Sequence, residues 1–533
     1  MFGLPLLVIT GVSLAVILPF IFWGNPSGHD FEFQMNSWME VLSQWKQGVI
    51  YPAWAGLAHY GYGEARFIFY PPISWILGAL LGTLLPWPVV PATYIWIALM
   101  LSGCGMFLLV RTWLSRGDAI FAATFYAANP YYLVIIYWRS AFAELLAGAL
   151  LPLLVIFVLR LGKRQKAVLP LALIVAAIWL INIPAAVMAT YSLVLVALGL
   201  AINRRSPRIA RAGIFAISVG AALASFYLLP AIYEQKWISI GRVLTAGFRP
   251  PDNFLFTRTG DADHDRFNLL VSLVACSEIG ALAVAIFFSR RRRFPQSSLS
   301  SLIVWSLWCT VVMFAIASPA WEYLPEFKFV QFPWRWLLCL NLPLAVLVTL
   351  AWSRWWRRLL VCSALVFVLV LVWHRVQAPW WDTSADIAEL LDDQQTGHGY
   401  EGTEEYVPAG ADPYEIGQDA PIATSGDATP VQIHIQEWDA RSKLLTAQTR
   451  VPAKIYLRLF NYPAWKVEIN GRAIATETRD VTGQMVVPLQ PGMNRVSITF
   501  ATMWDRKIGM LVSLLTLLIS ITLLWSQRFG TLN

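Results

Sequence analysis

Apolar runs of about 20 residues, separated by short clusters of arginine and lysine, fill most of the first 374 residues of this 533-residue chain and recur after residue 507. A run of that length crosses the ~30 Å hydrocarbon core of a bilayer as one helix. Within that core only a helix or a closed barrel satisfies every backbone N–H and C=O. The chain is therefore read as an α-helical polytopic membrane protein. Its composition agrees: 57% of residues are hydrophobic and 14% are charged, against about 25% charged in an ordinary soluble domain. A soluble enzyme is excluded.

Loops rich in arginine and lysine stay on the cytoplasmic side of a membrane. The clusters are Arg111/Arg116, Arg160 to Lys166, Arg204 to Arg211, Arg290 to Arg293, Arg354 to Arg358, and Arg528. If all are cytoplasmic, spans must come in pairs between them. They do so at roughly 3–23, 90–110, 118–133, 144–160, 167–182, 184–202, 212–230, 268–288, 301–318, 334–352, 359–374 and 508–526. That gives about 12 spans with both termini inside. The first run lacks the charged start and small-residue cleavage site of a signal peptide, so it is read as an uncleaved span. Residues 73–85 are apolar but only 13 long and are bracketed by prolines. They are read as a helix on or dipping into the outer face, the alternative being a thirteenth span.

This parity divides the chain into a transmembrane domain, 1–374, with outer loops 24–89, 134–143, 231–267 and 319–333, followed by an outer region, 375–507. A last transmembrane helix and short cytoplasmic tail occupy 508–533. Residues 375–430 hold 12 acids and one base with scattered glycine and proline, and read as loop-rich. From 431 to 507, alternating segments such as KIYLRLF and RVSITF, with an Asn470-Gly471 turn, predict an antiparallel β-sandwich. The net charge of +8 is divided between these regions: 375–507 holds 18 acids and 12 bases, so the basic excess belongs to the membrane part. That distribution marks cytoplasmic loops and excludes a nucleic-acid-binding face. The five cysteines lie within or at the ends of apolar runs, and indicate neither a disulfide framework nor a zinc site.

Chemistry must come from the outer loops. Gly28-His29-Asp30 and Glu32 follow the first span by a few residues. A carboxylate there can activate an acceptor hydroxyl or hold a divalent cation where a lipid-linked phosphate would arrive; the plainer reading is a solvated loop acid. In YWRSAFAE, residues 137–144, Arg139 and Glu144 flank a span entrance. They read either as an ion pair at the helix end or as a phosphate-binding cation with a second acid. Arg335, between Trp334 and Trp336, is an interfacial anchor or a fixed guanidinium suited to bidentate phosphate binding. The cluster Asp261, Asp263, His264 and Asp265 lacks the rest of a calcium loop and reads as solvated charge. No phosphate-binding GxxxxGK[ST] loop occurs, and charges inside the spans are nearly absent, which disfavours an ATP-driven or ion-coupled transporter.

These motifs, together with YGYGEARFIFYPP at 60–72 and VQFPWRW at 330–336, resemble bacterial membrane proteins described as pyruvoyl-tetrahydropterin-synthase-related. The resemblance covers most of 1–375. A pterin synthase of that type uses a three-histidine zinc site, for which the six scattered histidines offer no cluster. The layout instead resembles GT-C integral-membrane glycosyltransferases, which move a sugar from a polyprenyl-phosphate carrier on the outer face. That resemblance implies Asp30 as the first-loop acid (base or metal ligand) and Glu144 as the second. Asp30 and Glu144 are also the candidate ligands for a Mg or Mn ion. His29, Glu32, Arg66, Arg139 and Arg335 are the candidate substrate-binding residues. The implied partners are membrane lipid, a polyprenyl-phosphate-sugar donor and a glycan, lipid or protein acceptor, at a bacterial cytoplasmic membrane. A lipid-linked-glycan flippase and a non-catalytic envelope-assembly protein are the competing readings.

Overall fold

The computed structural model describes residues 3–161, 167–289, 295–376, 380–426 and 430–529. Among these, nine helices are long and apolar enough to cross a membrane: Gly3–Trp23, Trp87–Val110, Arg116–Arg139, Phe142–Arg160, Ile183–Asn203, Ala262–Ser289, Pro333–Ala351, Trp355–Arg375 and Trp504–Leu523. Two further candidates are bent pairs, Pro207–Leu223 with Ser225–Trp237 at 76° and Ser297–Val311 with Ala315–Tyr323 at 97°. Two of the twelve expected spans, 212–230 and 301–318, are thus broken helices. A third, 167–182, forms the 12-residue helix Val168–Trp179, about 18 Å long and short of a crossing. Lys163, Arg164, Lys166 and Arg290 to Arg293, on which part of the loop-charge argument rests, lie outside the described residues.

At each bend a side chain satisfies a backbone group that the broken helix leaves open, as a membrane interior requires. The Phe226 N–H donates to Ser513 Oγ at 2.9 Å, and the Trp321 indole N–H donates to the Val312 carbonyl at 2.9 Å. Close helix approach relies on small residues. A side chain at Gly103 would stand 2.6 Å from Ile9, and one at Gly220 would stand 2.8 Å from the Ala172 carbonyl. One carboxylate does lie inside a span: Glu278 is fully buried and accepts from Asn341 Nδ2 at 2.9 Å.

The first loop is largely helical. Phe31–Lys46 buries Phe31, Met35, Trp38 and Met39 against the short helix Pro72–Leu84. Gly78 leaves room for the Trp38 indole, which stacks on Tyr94 at 5.0 Å. At 13 residues, Pro72–Leu84 is about 20 Å long, too short to cross.

The C-terminal region contains two antiparallel sheets. One has the order Ala423–Ser425, Ala453–Phe460, Gln484–Leu489, Glu477–Thr478; the other runs Gln432–Trp438, Ser442–Thr449, Gly492–Phe500, Trp465–Ile469, Arg472–Ile474. Their buried faces carry Leu445, Ile455, Leu457, Val487, Val496 and Ile498. Asn470 (φ 51°) and Gly471 (φ 79°) close the expected two-residue hairpin. The first strand begins at Ala423, before the expected boundary at 431. The stretch expected to be loop-rich also holds a helix, Ser384–Thr396, whose Thr383 and Asp386 form a reciprocal capping box. That T-x-x-D spacing was its sequence signal.

Several ties join the C-terminal region to the membrane part. Asn25-Pro26, just after the first span, pairs with Trp381-Asp382. Trp54 enters the β-domain core within 6 Å of Tyr462, Trp465 and Phe500. Glu234, fully buried, takes a bidentate pair from Arg506 at 2.7 and 2.8 Å and a hydrogen bond from the Tyr462 hydroxyl at 2.6 Å.

The connecting segment gives a pH test of this docking. Burial first, then the neighbouring Glu64 and Glu404 carboxylates, push the Glu405 carboxyl up to about 7, while Arg66 pulls the other way. Its folded pKa therefore exceeds its unfolded value of 4.5. Between those values the folded state holds more protons, so stability falls as pH rises. Glu405→Gln should remove a penalty on the order of 2 kcal/mol at pH 8 and none at pH 4. Thermal-unfolding midpoints of the two proteins, compared at both pH values, check this; equal midpoints at pH 8 would refute it.

Candidate active site

Asp30 is the N-cap residue of helix Phe31–Lys46, yet its side chain makes no capping hydrogen bond. The partly exposed carboxylate has no protein hydrogen bond among the described residues, and it sits where the helix dipole favours negative charge. Its position is set from across the chain. The Arg116–Arg139 span ends in a π-helical turn, Ile135–Arg139, and Ser140 follows in the left-handed region at φ 50°. The Ser140 hydroxyl donates to the Pro26 carbonyl at 3.0 Å and accepts from the Gly28 N–H at 3.1 Å. The Asp30 N–H donates to the Arg139 carbonyl at 2.9 Å. Gly28 permits this contact, since a side chain there would lie 2.6 Å from the Arg139–Ser140 backbone. Gly28→Ala should push the loop off that turn and lower activity by about 10²-fold, the effect of an ångström-scale misplacement. Steady-state rates on a variant of wild-type melting behaviour check this; an unchanged rate would refute it.

Beside Asp30 lies a buried cluster from three other segments. Glu144, at the start of the next span, is 1% exposed. Its Oε1 accepts from the Tyr131 hydroxyl at 2.6 Å, and its Oε2 pairs with Arg139 Nη1 at 2.6 Å and Arg335 Nε at 3.4 Å. Arg139 Nη1 also reaches the Tyr131 hydroxyl at 3.2 Å. Arg335 Nη1 donates to the Val330 carbonyl at 2.9 Å and Gln331 Oε1 at 3.1 Å. Aromatic rings back both cations: Arg139 stands 5.0 Å from the Trp334 ring, Arg335 stands 4.7 Å from Phe332, and those two rings stack at 4.9 Å. Asp30 is within electrostatic reach of both guanidiniums. The cluster thus sets two fixed positive charges against one buried carboxylate, with Asp30 on its exposed side. Such a cluster can bind an anion and hold a base beside it.

The other candidates are placed differently. His29 is exposed, its ring 5.6 Å from Phe267, which in turn lies 6.2 Å from Trp334. Glu32 is exposed and acts electrostatically on Asp382. Arg66 is committed elsewhere: it is buried, paired with Glu64, bonded to Ser37 Oγ at 3.0 Å and set 4.4 Å from the Phe33 ring. Burial pushes the Glu64 carboxyl up, but Arg66 and His59 outweigh that and hold it down at about 2. Tyr131 and Trp334 are site residues that the sequence did not single out as such; nothing in an aromatic-rich apolar run distinguishes them.

Two observations bear on a divalent cation. Among the described residues no group of three His, Cys, Asp or Glu side chains could hold one. Glu144 has both oxygens engaged, one of them by two guanidiniums. The donor set does not fit a cation shared by Asp30 and Glu144.

The fold and this cluster define a polytopic membrane protein with a buried Arg–Glu–Arg cluster beside an acid, joined to a C-terminal β domain. The family described as "6-pyruvoyl-tetrahydropterin synthase related domain; membrane protein" matches residues 67–379, more than half of the chain. The chain belongs to that family. Among solved structures it is similar to arabinofuranosyltransferase AftD from Mycobacteria, with a TM-score of 0.44 and 19% identity over 69% of this chain and 27% of that one. It is also similar to the oligosaccharyltransferase of Archaeoglobus fulgidus in the apo form, with a TM-score of 0.41 and 11% identity over 75% and 56%. The chain spans about a quarter of the length of the AftD structure. No curated protein matches it.

Proposed function

We propose that the protein is a membrane glycosyltransferase of the GT-C type. It would move a sugar from a polyprenyl-phosphate donor to an acceptor hydroxyl, on the β-domain side of a bacterial cytoplasmic membrane. One observation carries this reading: Asp30, the N-cap residue of a helix with a side chain that makes no capping bond, lies within electrostatic reach of two buried guanidiniums paired with Glu144. Arg139 and Arg335 bind the donor phosphate. Asp30 accepts the proton of the acceptor hydroxyl as its oxygen attacks the anomeric carbon. The bond from that carbon to the phosphate oxygen breaks, and its electron pair leaves on the phosphate. Configuration inverts. As Asp30 becomes neutral the phosphate gains a charge, so the net charge beside the two arginines stays constant through the step. Glu144 orients the arginines and touches no reacting atom.

A second reading, a lipid-linked-glycan transporter, has one observation in its favour: Glu278 buried inside a span on Asn341. Proteoliposomes supplied with radiolabelled polyprenyl-phosphate sugars and an envelope acceptor fraction separate the two. Formation of a glycosylated product supports the transferase; movement of labelled lipid across the bilayer without a new bond supports the transporter and overturns the proposal.

A further inference from the structure

A cleft of about 450 Å³ lies away from Asp30, between the C-terminal half of helix Phe31–Lys46, helix Ser384–Thr396 and the Trp438–Lys443 corner of the five-stranded sheet. Gln44 on its wall is 14 residues along the helix from Asp30, about 21 Å at 1.5 Å per residue. Its lining pairs indole rings (Trp54, Trp87, Trp438) with carboxamides (Gln44, Gln47, Gln395). The volume falls in the range of ligand sites, and the lining is about evenly divided between apolar and polar surface.

Its two buried charges are already engaged, and its two exposed ones, Lys46 and Asp439, are opposite in sign. Glu40 at its floor is buried and accepts from the Gly56 and Leu57 N–H groups, Gln44 Nε2 and the Tyr400 hydroxyl. It offers no free anionic site. Lys443, 5% exposed, lies 4.9 Å from the Trp438 ring and 4.7 Å from the Trp465 ring, and donates to the Asp439 carbonyl at 2.8 Å. Burial pulls its amine down to about 8, against the opposing pull of Asp439 and Glu40. What remains is aromatic surface, the exposed Gln47 and Gln395 carboxamides, the exposed pair Lys46 and Asp439, and the remaining N–H donors of the Lys443 ammonium. A ligand that suits it has apolar C–H faces and many hydroxyls, each able to donate and accept, and carries no net charge.

We infer that this cleft is a binding subsite for a neutral oligosaccharide, which holds the glycan part of the acceptor remote from the reacting hydroxyl. That the glycan is an acceptor rests on the proposed function; that the cleft binds a neutral glycan does not. Carbohydrate affinity should therefore survive even if the transferase reading fails.

The test uses the full chain in detergent micelles on an array of neutral hexose and pentose oligosaccharides of two to six sugars, printed beside uronate-containing counterparts. Wild type should bind neutral chains in preference to the uronates. Trp438→Ala and Gln395→Ala, both at partly or fully exposed positions, should each weaken binding at least tenfold, whereas Asp30→Asn should bind as wild type does. No binding to any neutral chain, preference for the uronates, or full binding in both cleft variants would overturn the inference. A transfer assay adds a second readout: Trp438→Ala should raise KM for a long acceptor and leave kcat and the KM of a monosaccharide acceptor unchanged. If neutral chains bind in the cleft and no donor is turned over, the subsite stands and the transferase reading falls.

Discussion

Asp30→Asn is expected to fold and bind lipid as the wild type does and to lose sugar transfer by about 10²–10⁴-fold, the usual contribution of a general base. The side chain is partly exposed and makes no protein hydrogen bond among the described residues, so its amide replacement removes no structural contact. The asparagine keeps the shape beside Arg139 and Arg335 but cannot take the acceptor proton. The drop should fall on kcat, with donor KM little changed, because the arginines proposed to hold the phosphate remain in place. Radiolabel transfer in proteoliposomes, with circular dichroism and melting curves on the same preparations, decides it. Transfer retained to within threefold would eliminate Asp30 as the base.

Glu144→Gln is expected to damage both stability and activity. Among the described residues Glu144 is the one carboxylate paired with the guanidiniums of Arg139 and Arg335, and all three groups are buried. Removing its charge leaves two buried cations to repel each other, and breaking a buried pair in this way costs about 3–5 kcal/mol. A structural role alone would predict that restoring charge balance restores everything. The double variant Glu144→Gln/Arg335→Gln makes that comparison, since it leaves one buried cation with neutral partners. It should recover most of the lost melting temperature and should still transfer sugar at least tenfold more slowly than wild type, with a raised donor KM. Recovery of both properties would assign the cluster to stability alone. Recovery of neither would show that Arg335 has partners that matter more to the fold than Glu144 does.

Two of the buried Arg–Glu pairs, Arg66–Glu64 and Arg139–Glu144, show why sequence alone could not sort the site. Arg66 and Arg139 are both arginines in outer-loop motifs next to aromatic residues, each within five positions of a glutamate. The fold surrounds Arg66 with Glu64, Ser37, Phe33 and Tyr400, which bind its guanidinium internally. It places Arg139 instead beside a second guanidinium and an acid at the edge of the bundle. Burying a charge is costly without partners, so every buried arginine must find them. Which partner it finds depends on segments up to hundreds of positions away. Thr403, for example, completes the shell of Glu64 from 339 residues along the chain.

What the sequence determined by itself is whatever depends on neighbours within a few turns. Apolar length set most of the membrane spans and period-two alternation with Asn470-Gly471 set the β hairpin, whereas the helix Ser384–Thr396 was missed in a stretch read as loop-rich although its Thr383/Asp386 capping box is local. These are local effects of chain geometry and solvent. Only the tertiary structure decided that Gly28 docks on Ser140, that Asp30 thereby stands beside Arg139 and Arg335, and that two apolar runs bend where Ser513 and Trp321 supply hydrogen bonds. Those outcomes depend on which distant surfaces pack together. The buried polar groups had to be paired within the protein, and the packing determined their partners.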